Sequence, residues 1–143
     1  MYGSPSPFAP RGARANQAYS RVGLETDVHA ASPHRLVSML MDGLFDAMQQ
    51  ALVAMAAGQI EAKGRALTRA VRIVEEGLKA ALNLEAGPLA TDLRDLYAYI
   101  TLRLTRANLD NDPSAIAECQ RLMEPIREAW KAIAPTESRQ QAA

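Results

Sequence analysis

Four stretches of this chain carry apolar residues at mostly three- and four-residue steps, and short turn-rich breaks separate them. That spacing puts each set on one helix face, so the fold must bury four stripes against one another. The first stretch opens at Ser32-Pro33, a hydroxyl able to cap the helix before a residue that needs no amide hydrogen in the first turn. Val37, Leu40, Leu44, Met48, Ala51 and Met55 form its stripe, and Gly58 is placed to end it in a left-handed conformation. The second stretch carries Ile60, Leu67, Val71, Val74, Leu78 and Ala81 and stops before Gly87-Pro88. The third carries Leu89, Leu93, Leu96, Ile100, Leu104 and Ala107 and ends in the turn-rich run at 108–112. The fourth repeats the opening device with Asp112 and Pro113. Its stripe is Ile116, Cys119, Met123, Ile126, Trp130 and Ile133, and Pro135 is expected to close it.

Helices of about 20–25 residues are roughly 30–37 Å long. Linkers of only a few residues then force sequential neighbours to run antiparallel. The expected fold is all-α, an antiparallel up-down-up-down four-helix bundle over residues 32–135. Composition agrees: 27 Ala and 16 Leu supply most of the apolar content, against only 18 Val, Ile and Thr together, which favours helix over sheet. One local conflict stands inside the fourth helix. Pro125 cannot donate to the carbonyl of Arg121, which predicts a kink or a split there.

The ends read differently. Residues 1–15 hold three Pro and two Gly with no helical period, and are expected to form a disordered tail. Residues 16–31 form a capping segment and linker in this reading, and 136–143 a second disordered tail. Within the capping segment Tyr19 and Val22 are three apart, spaced to share one face of a helical turn. Either that turn belongs to the loose tail, or it docks, because a Tyr ring is costly to leave in water.

Several function classes are disfavoured. Sixteen basic and sixteen acidic residues leave a formal net charge of zero, which argues against a nucleic acid or an anionic membrane as main partner. A single Cys excludes a disulfide framework and fits a reducing compartment. The longest purely apolar run, Ala51–Ala57, is far short of a membrane span, and no secretory signal is visible, so a cytoplasmic location without membrane insertion is expected. No Glu-x-x-His pair offers di-iron ligands. His29 and His34 sit at or before the first helix, and Cys119 falls on an apolar stripe, where a thiol is usually a small hydrophobe. Without a phosphate loop or a supported nucleophile triad, no catalytic, metal or cofactor residues are assigned, and an enzyme is disfavoured.

Apolar flanks carry what signal remains. The first helix has Met39, Met41, Phe45 and Leu52 beside its stripe, and the third has Tyr97, Tyr99 and Leu102. Such width means either thorough burial by neighbours or a groove kept for a partner. Met suits a surface that accepts a helix of imperfect fit. On pattern alone, the chain is a helical bundle with helix binding as one of two readings.

Longer runs resemble a particular family. They are Ala18-Tyr19-Ser20-Arg21-Val22, Ala31-Ser32-Pro33-His34-Arg35-Leu36-Val37 and Met39-Leu40-Met41-Asp42-Gly43. Lys63-Gly64, Ile73-Val74-Glu75-Glu76-Gly77-Leu78, Leu93-Arg94-Asp95-Leu96-Tyr97-Ala98-Tyr99-Ile100 and Arg127-Glu128-Ala129-Trp130 follow in order. Together they resemble the FliS family of flagellar secretion chaperones, from about Gln17 to Ile133. The resemblance implies a cytoplasmic chaperone that binds the C-terminal region of flagellin, disordered in the monomer, and lets it fold on an apolar surface. It further implies that premature polymerisation is blocked and the subunit is delivered to the flagellar type III export gate. The apolar flanks and the resemblance together single out Tyr19, Val22, Met41, Phe45, Tyr97, Tyr99 and Leu102 as partner-binding residues, and the resemblance puts Tyr19 and Val22 on a displaceable cap. The stretch Leu82–Leu89 departs from the family by having one Gly where a pair is usual. The runner-up is an adaptor bundle for some other amphipathic helix, and an empty groove could also draw self-association.

Overall fold

The computed structural model describes residues 32–142, with side chains as far as Ile133. The expected tail at 1–15 and the capping segment at 16–31, with Tyr19 and Val22, lie outside the described residues. Helix α1 spans Pro33–Ala56, α2 Ile60–Arg72, α3 Pro88–Asp110 and α4 Pro113–Ala142. A π-helical stretch, Ile73–Leu78, continues α2, and a single 3-10 turn, Leu84–Ala86, leads into α3. The described residues contain no strand.

The start signals act as local chemistry says they should. Ser32 Oγ accepts from the Arg35 amide at 3.1 Å, and Asp112 Oδ1 accepts from the Ser114 amide at 3.0 Å. The Ser114 hydroxyl donates to the same carboxylate oxygen and, with the capping amides, holds the Asp112 carboxyl below its ordinary range. Gly58 takes φ +70°, and Asn111 ends α3 in the left-handed region at φ 51°, a conformation Asn tolerates better than most residues.

Pairs between helices fix their directions. Along the α1–α4 seam His34 meets Trp130, Asp42 meets Arg127 and Gln49 meets Gln120, so partners descend on one helix as they climb on the other. Along α2 and α3, Lys63 bonds Asn108 while Glu75 bonds Thr101, again in opposite directions. Helix α1 therefore packs on α2 and α4, and α3 closes the ring between α2 and α4. The core holds Leu40, Met41, Leu44, Met48, Leu67, Ile73, Tyr97, Ile100, Leu104, Ile116 and Met123, all essentially without exposure.

Three expectations need correction. Helix α4 is not split at Pro125, and it continues past Pro135 to Ala142. Pro125 is exposed, as are Arg121 and Lys131, so each carbonyl that loses its helical donor lies on the solvent side where water can serve it. The second helix does not run regularly toward Gly87. It widens into the π stretch, with the Lys79 amide donating to Val74 at 2.8 Å, and helical structure lapses before the 3-10 turn. Finally, Ile60, Leu89 and Ile133, assigned to the stripes, are 75%, 53% and 51% exposed, because Ile60 and Leu89 begin their helices and Ile133 lies past the level at which α1 starts, where His34 meets Trp130.

Candidate partner-binding surface

The α1–α4 seam is closed by reciprocal bonds. The His34 and Trp130 rings stack with centroids 4.3 Å apart and planes 2° from parallel. His34 Nε2 donates to the Trp130 carbonyl at 2.8 Å, and the indole N–H donates to the His34 carbonyl at 3.0 Å. Three turns further along α1, the Arg127 guanidinium lies 4.0 Å from the Phe45 ring centroid and reaches Asp42 and Glu124. Phe45 is thus half-buried, packed against the core from one side and roofed by a cation on the other.

The α3–α4 seam is tied by polar groups near the surface. Tyr99 Oη donates to one Glu118 oxygen at 2.7 Å, and Arg103 Nε donates to the other at 2.6 Å. The hydrogen bond from Tyr99, then that from Arg103, holds the Glu118 carboxyl below the usual carboxylate range. The same bond pushes the Tyr99 phenol up. Just beneath, Cys119 is free and buried, with its Sγ 3.9 Å from the Ile100 carbonyl, and burial pushes its thiol up to about 12. Such a thiol stays protonated and behaves as the small hydrophobe its stripe position predicts.

The outer face of α3 gathers several uncovered apolar groups. Tyr99, Leu102 and Leu109 fall within one arc of the helix and are 39%, 57% and 73% exposed. Across the seam Leu122 of α4 is also exposed, and the register set by the Tyr99–Glu118 and Ile100–Cys119 pairs places it opposite half-buried Leu96. The strip from Leu122 over Tyr99 to Leu109 thus carries four exposed apolar groups, interrupted between Leu102 and Leu109 by exposed Thr105 and by Arg106 paired with Asp110, with Glu118 and Arg103 fixed at its edge.

The residues singled out from sequence divide three ways. Tyr99 and Leu102 come together on the open α3 face. Met41 and Tyr97 are fully buried, and burial pushes the Tyr97 phenol well up. As the bundle stands they offer no surface and instead support the layer above them. Phe45 sits on the far flank of α4 from Tyr99, since Arg127 and Glu118 are nine residues apart and point to opposite sides of that helix. Leu109 and Leu122 were missed as surface candidates. Leu109 had a readable signal, standing seven residues after Leu102 and off the core stripe.

Among the described residues no three of the His, Cys, Asp and Glu side chains form a group that could hold a metal ion. Nor is any described helix long and apolar enough to cross a membrane. What fold and surface define is an all-helical four-helix bundle whose third helix turns an apolar strip outward.

The comparisons with known proteins narrow this class to one family. The family model described as "Flagellar protein FliS" matches residues 15–137. The flagellar secretion chaperone FliS of Salmonella typhimurium is 45% identical over 126 residues, covering 87% of this chain and 93% of its own length. Its Escherichia coli counterpart is 41% identical over 120 residues, 83% of this chain and 88% of that one. The flagellar secretion chaperone FliSB of Pseudomonas aeruginosa is 38% identical over 121 residues, 84% and 95%. The chain belongs to the FliS family.

Proposed function

We propose that this chain is a non-catalytic flagellar export chaperone. It binds the C-terminal region of flagellin in the cytoplasm, keeps the subunit from polymerising and hands it to the type III export gate. The observation that carries the reading is the apolar strip of Tyr99, Leu102 and Leu109 on a chain whose relatives are named flagellar secretion chaperones. A partner that folds as it binds uses several shallow apolar sites, not one deep pocket, and exposed Tyr99, Leu102 and Leu109 supply sites of that kind.

In this reading Tyr99 and Leu102 make direct contact. Tyr97 and Met41 back the contact layer from beneath, and Phe45 belongs to a second contact across α4. Tyr19 and Val22 lie outside the described residues, and their role as a displaceable cap rests on the family resemblance alone. The relatives' names favour flagellin over the helix of some unrelated partner.

Calorimetric titration with a peptide spanning the C-terminal region of the host's flagellin tests the proposal. One-to-one binding with a strongly negative heat-capacity change is expected. No heat at several temperatures, with the protein verified as folded, would overturn it.

A further inference from the structure

Lys63 is the one buried charged side chain among the described residues, at 6% exposure. Its ammonium donates to the Asn108 carbonyl and to Asn111 Oδ1, both at 3.1 Å. Both acceptors are neutral. They sit at the C-terminus of α3, where the cation offsets the exposed carbonyl dipoles. No described carboxylate pairs with it. An ammonium has three N–H donors, so one is left without a described protein acceptor. Capping α3 explains two of the three donors and leaves the ammonium without a described carboxylate partner.

Lys63 also lines a cavity of about 280 Å³, together with Met55, Gly58, Ile60 and Asn111. At about 30 Å³ per water this is room for roughly nine waters, enough for one terminal residue and too little for a helical turn. Its lining combines Met55 and the 75% exposed Ile60 with the polar Gln59, Asn111 and Lys63. The cavity lies at the same end of α3 as exposed Leu109, since Asn111, two residues further on, lines it.

We propose that this cavity takes the terminal carboxylate of the bound partner chain, with the Lys63 ammonium as its counter-ion and Met55 and Ile60 flanking the last side chain. A partner lying along Tyr99, Leu102 and Leu109 reaches the cavity with its C-terminal end. A carboxylate there forms the charge-assisted bond that the ammonium lacks. The inference rests on the proposed binding of the flagellin C-terminal region and adds which chemical group ends the contact.

The test compares the flagellin C-terminal peptide as free acid and as C-terminal amide, titrated calorimetrically into the full chain. The amide should bind about tenfold more weakly or worse. Lys63→Met should bring the acid down to the affinity of the amide and leave the amide unchanged. Should Lys63→Met fail to fold, Ile60→Asp at the exposed rim should weaken the acid much more than the amide. Equal affinity of acid and amide for the native chain overturns the inference while leaving the chaperone reading intact. An amide that still loses affinity on Lys63→Met also overturns it, in favour of a side-chain carboxylate. If neither peptide binds, the chaperone reading fails, and N-acetyl-leucine against its amide is then followed through the Gly58 and Gly64 amide signals. Shifts with the acid alone support a carboxylate cavity, and no shifts overturn it.

Discussion

Helices α1 and α3 carry surplus apolar residues in similar number and use them in opposite ways. Around α1 the outward arc is Asp42, Asp46, Gln49, Gln50 and Val53, all exposed and polar but for Val53, and the additional Met41 turns into the core with Leu40 and Leu44. Helix α2 flanks α1 on one side and α4 on the other, so a wide apolar face is covered. Around α3 the surplus lies on the outward arc, where Leu102 and Leu109 are largely exposed and Tyr99 reaches Glu118 of α4 yet stays 39% exposed. Width of an apolar stripe therefore says little about binding. The arc on which the surplus falls, relative to the neighbours, is what separates core from surface.

The largest expected effect breaks the closed side. Trp130→Ala removes a buried indole with its ring stack on His34 and its bond to the His34 carbonyl, and should cost about 3–5 kcal/mol of stability in chemical denaturation. Met41→Ala should follow at about 2–5 kcal/mol, as the loss of a fully buried side chain. A Met41→Ala variant of native stability with impaired partner binding would move Met41 to the surface and erase the comparison.

On the open side the signature reverses. Leu102→Asp should change stability by no more than about 0.5 kcal/mol, as for most exposed positions. It should weaken the flagellin peptide by about tenfold or more, equivalent to about 1.4 kcal/mol. Phe45→Ala lies between the two cases. It loses a half-buried ring and the Arg127 contact, about 2 kcal/mol, and its effect on binding shows whether the second flank of α4 takes part.

The smallest effect concerns the tie at the edge of the strip. The Glu118 carboxyl is held below its ordinary value in the folded chain, so its contribution is present above the ordinary carboxylate range. That contribution is lost as pH falls through the lowered value. Tyr99→Phe deletes the first cause of the shift and should move the Glu118 carbon-detected titration toward the ordinary range, with little change in melting near neutral pH. An unmoved titration would mean that Arg103 alone holds the carboxylate.

Where helices begin was legible because capping is local: Ser32 and Asp112 need only their own neighbours to act. Where they end was less so. Widening α2 by one residue at Ile73–Leu78 leaves Val74 and Leu78 buried, and a three-or-four spacing cannot register it. Pro125 predicted a kink or a split and Pro135 a stop from the backbone alone, but the helix runs on through both, and the carbonyls they deprive belong to exposed residues, a fact of tertiary placement. The same limit governs the surface. Tyr97 and Tyr99 are two apart and equally aromatic, yet one is 1% exposed and the other 39%, because only the packing of α3 between α2 and α4 decides which arc is inside. Lys63 was visible as part of a Lys-Gly pair, while its burial against the end of α3 was not.

The central claim is that the outward arc of α3, and not the apolar flank of α1, receives the partner. The most direct measurement is a map of backbone amide shifts as the flagellin C-terminal peptide is added to the isotope-labelled chain. The account predicts the largest changes along Tyr99–Leu109 and at Leu122, with the interior of α1 nearly silent. Changes concentrated on α1 around Met41, with α3 unmoved, would contradict it.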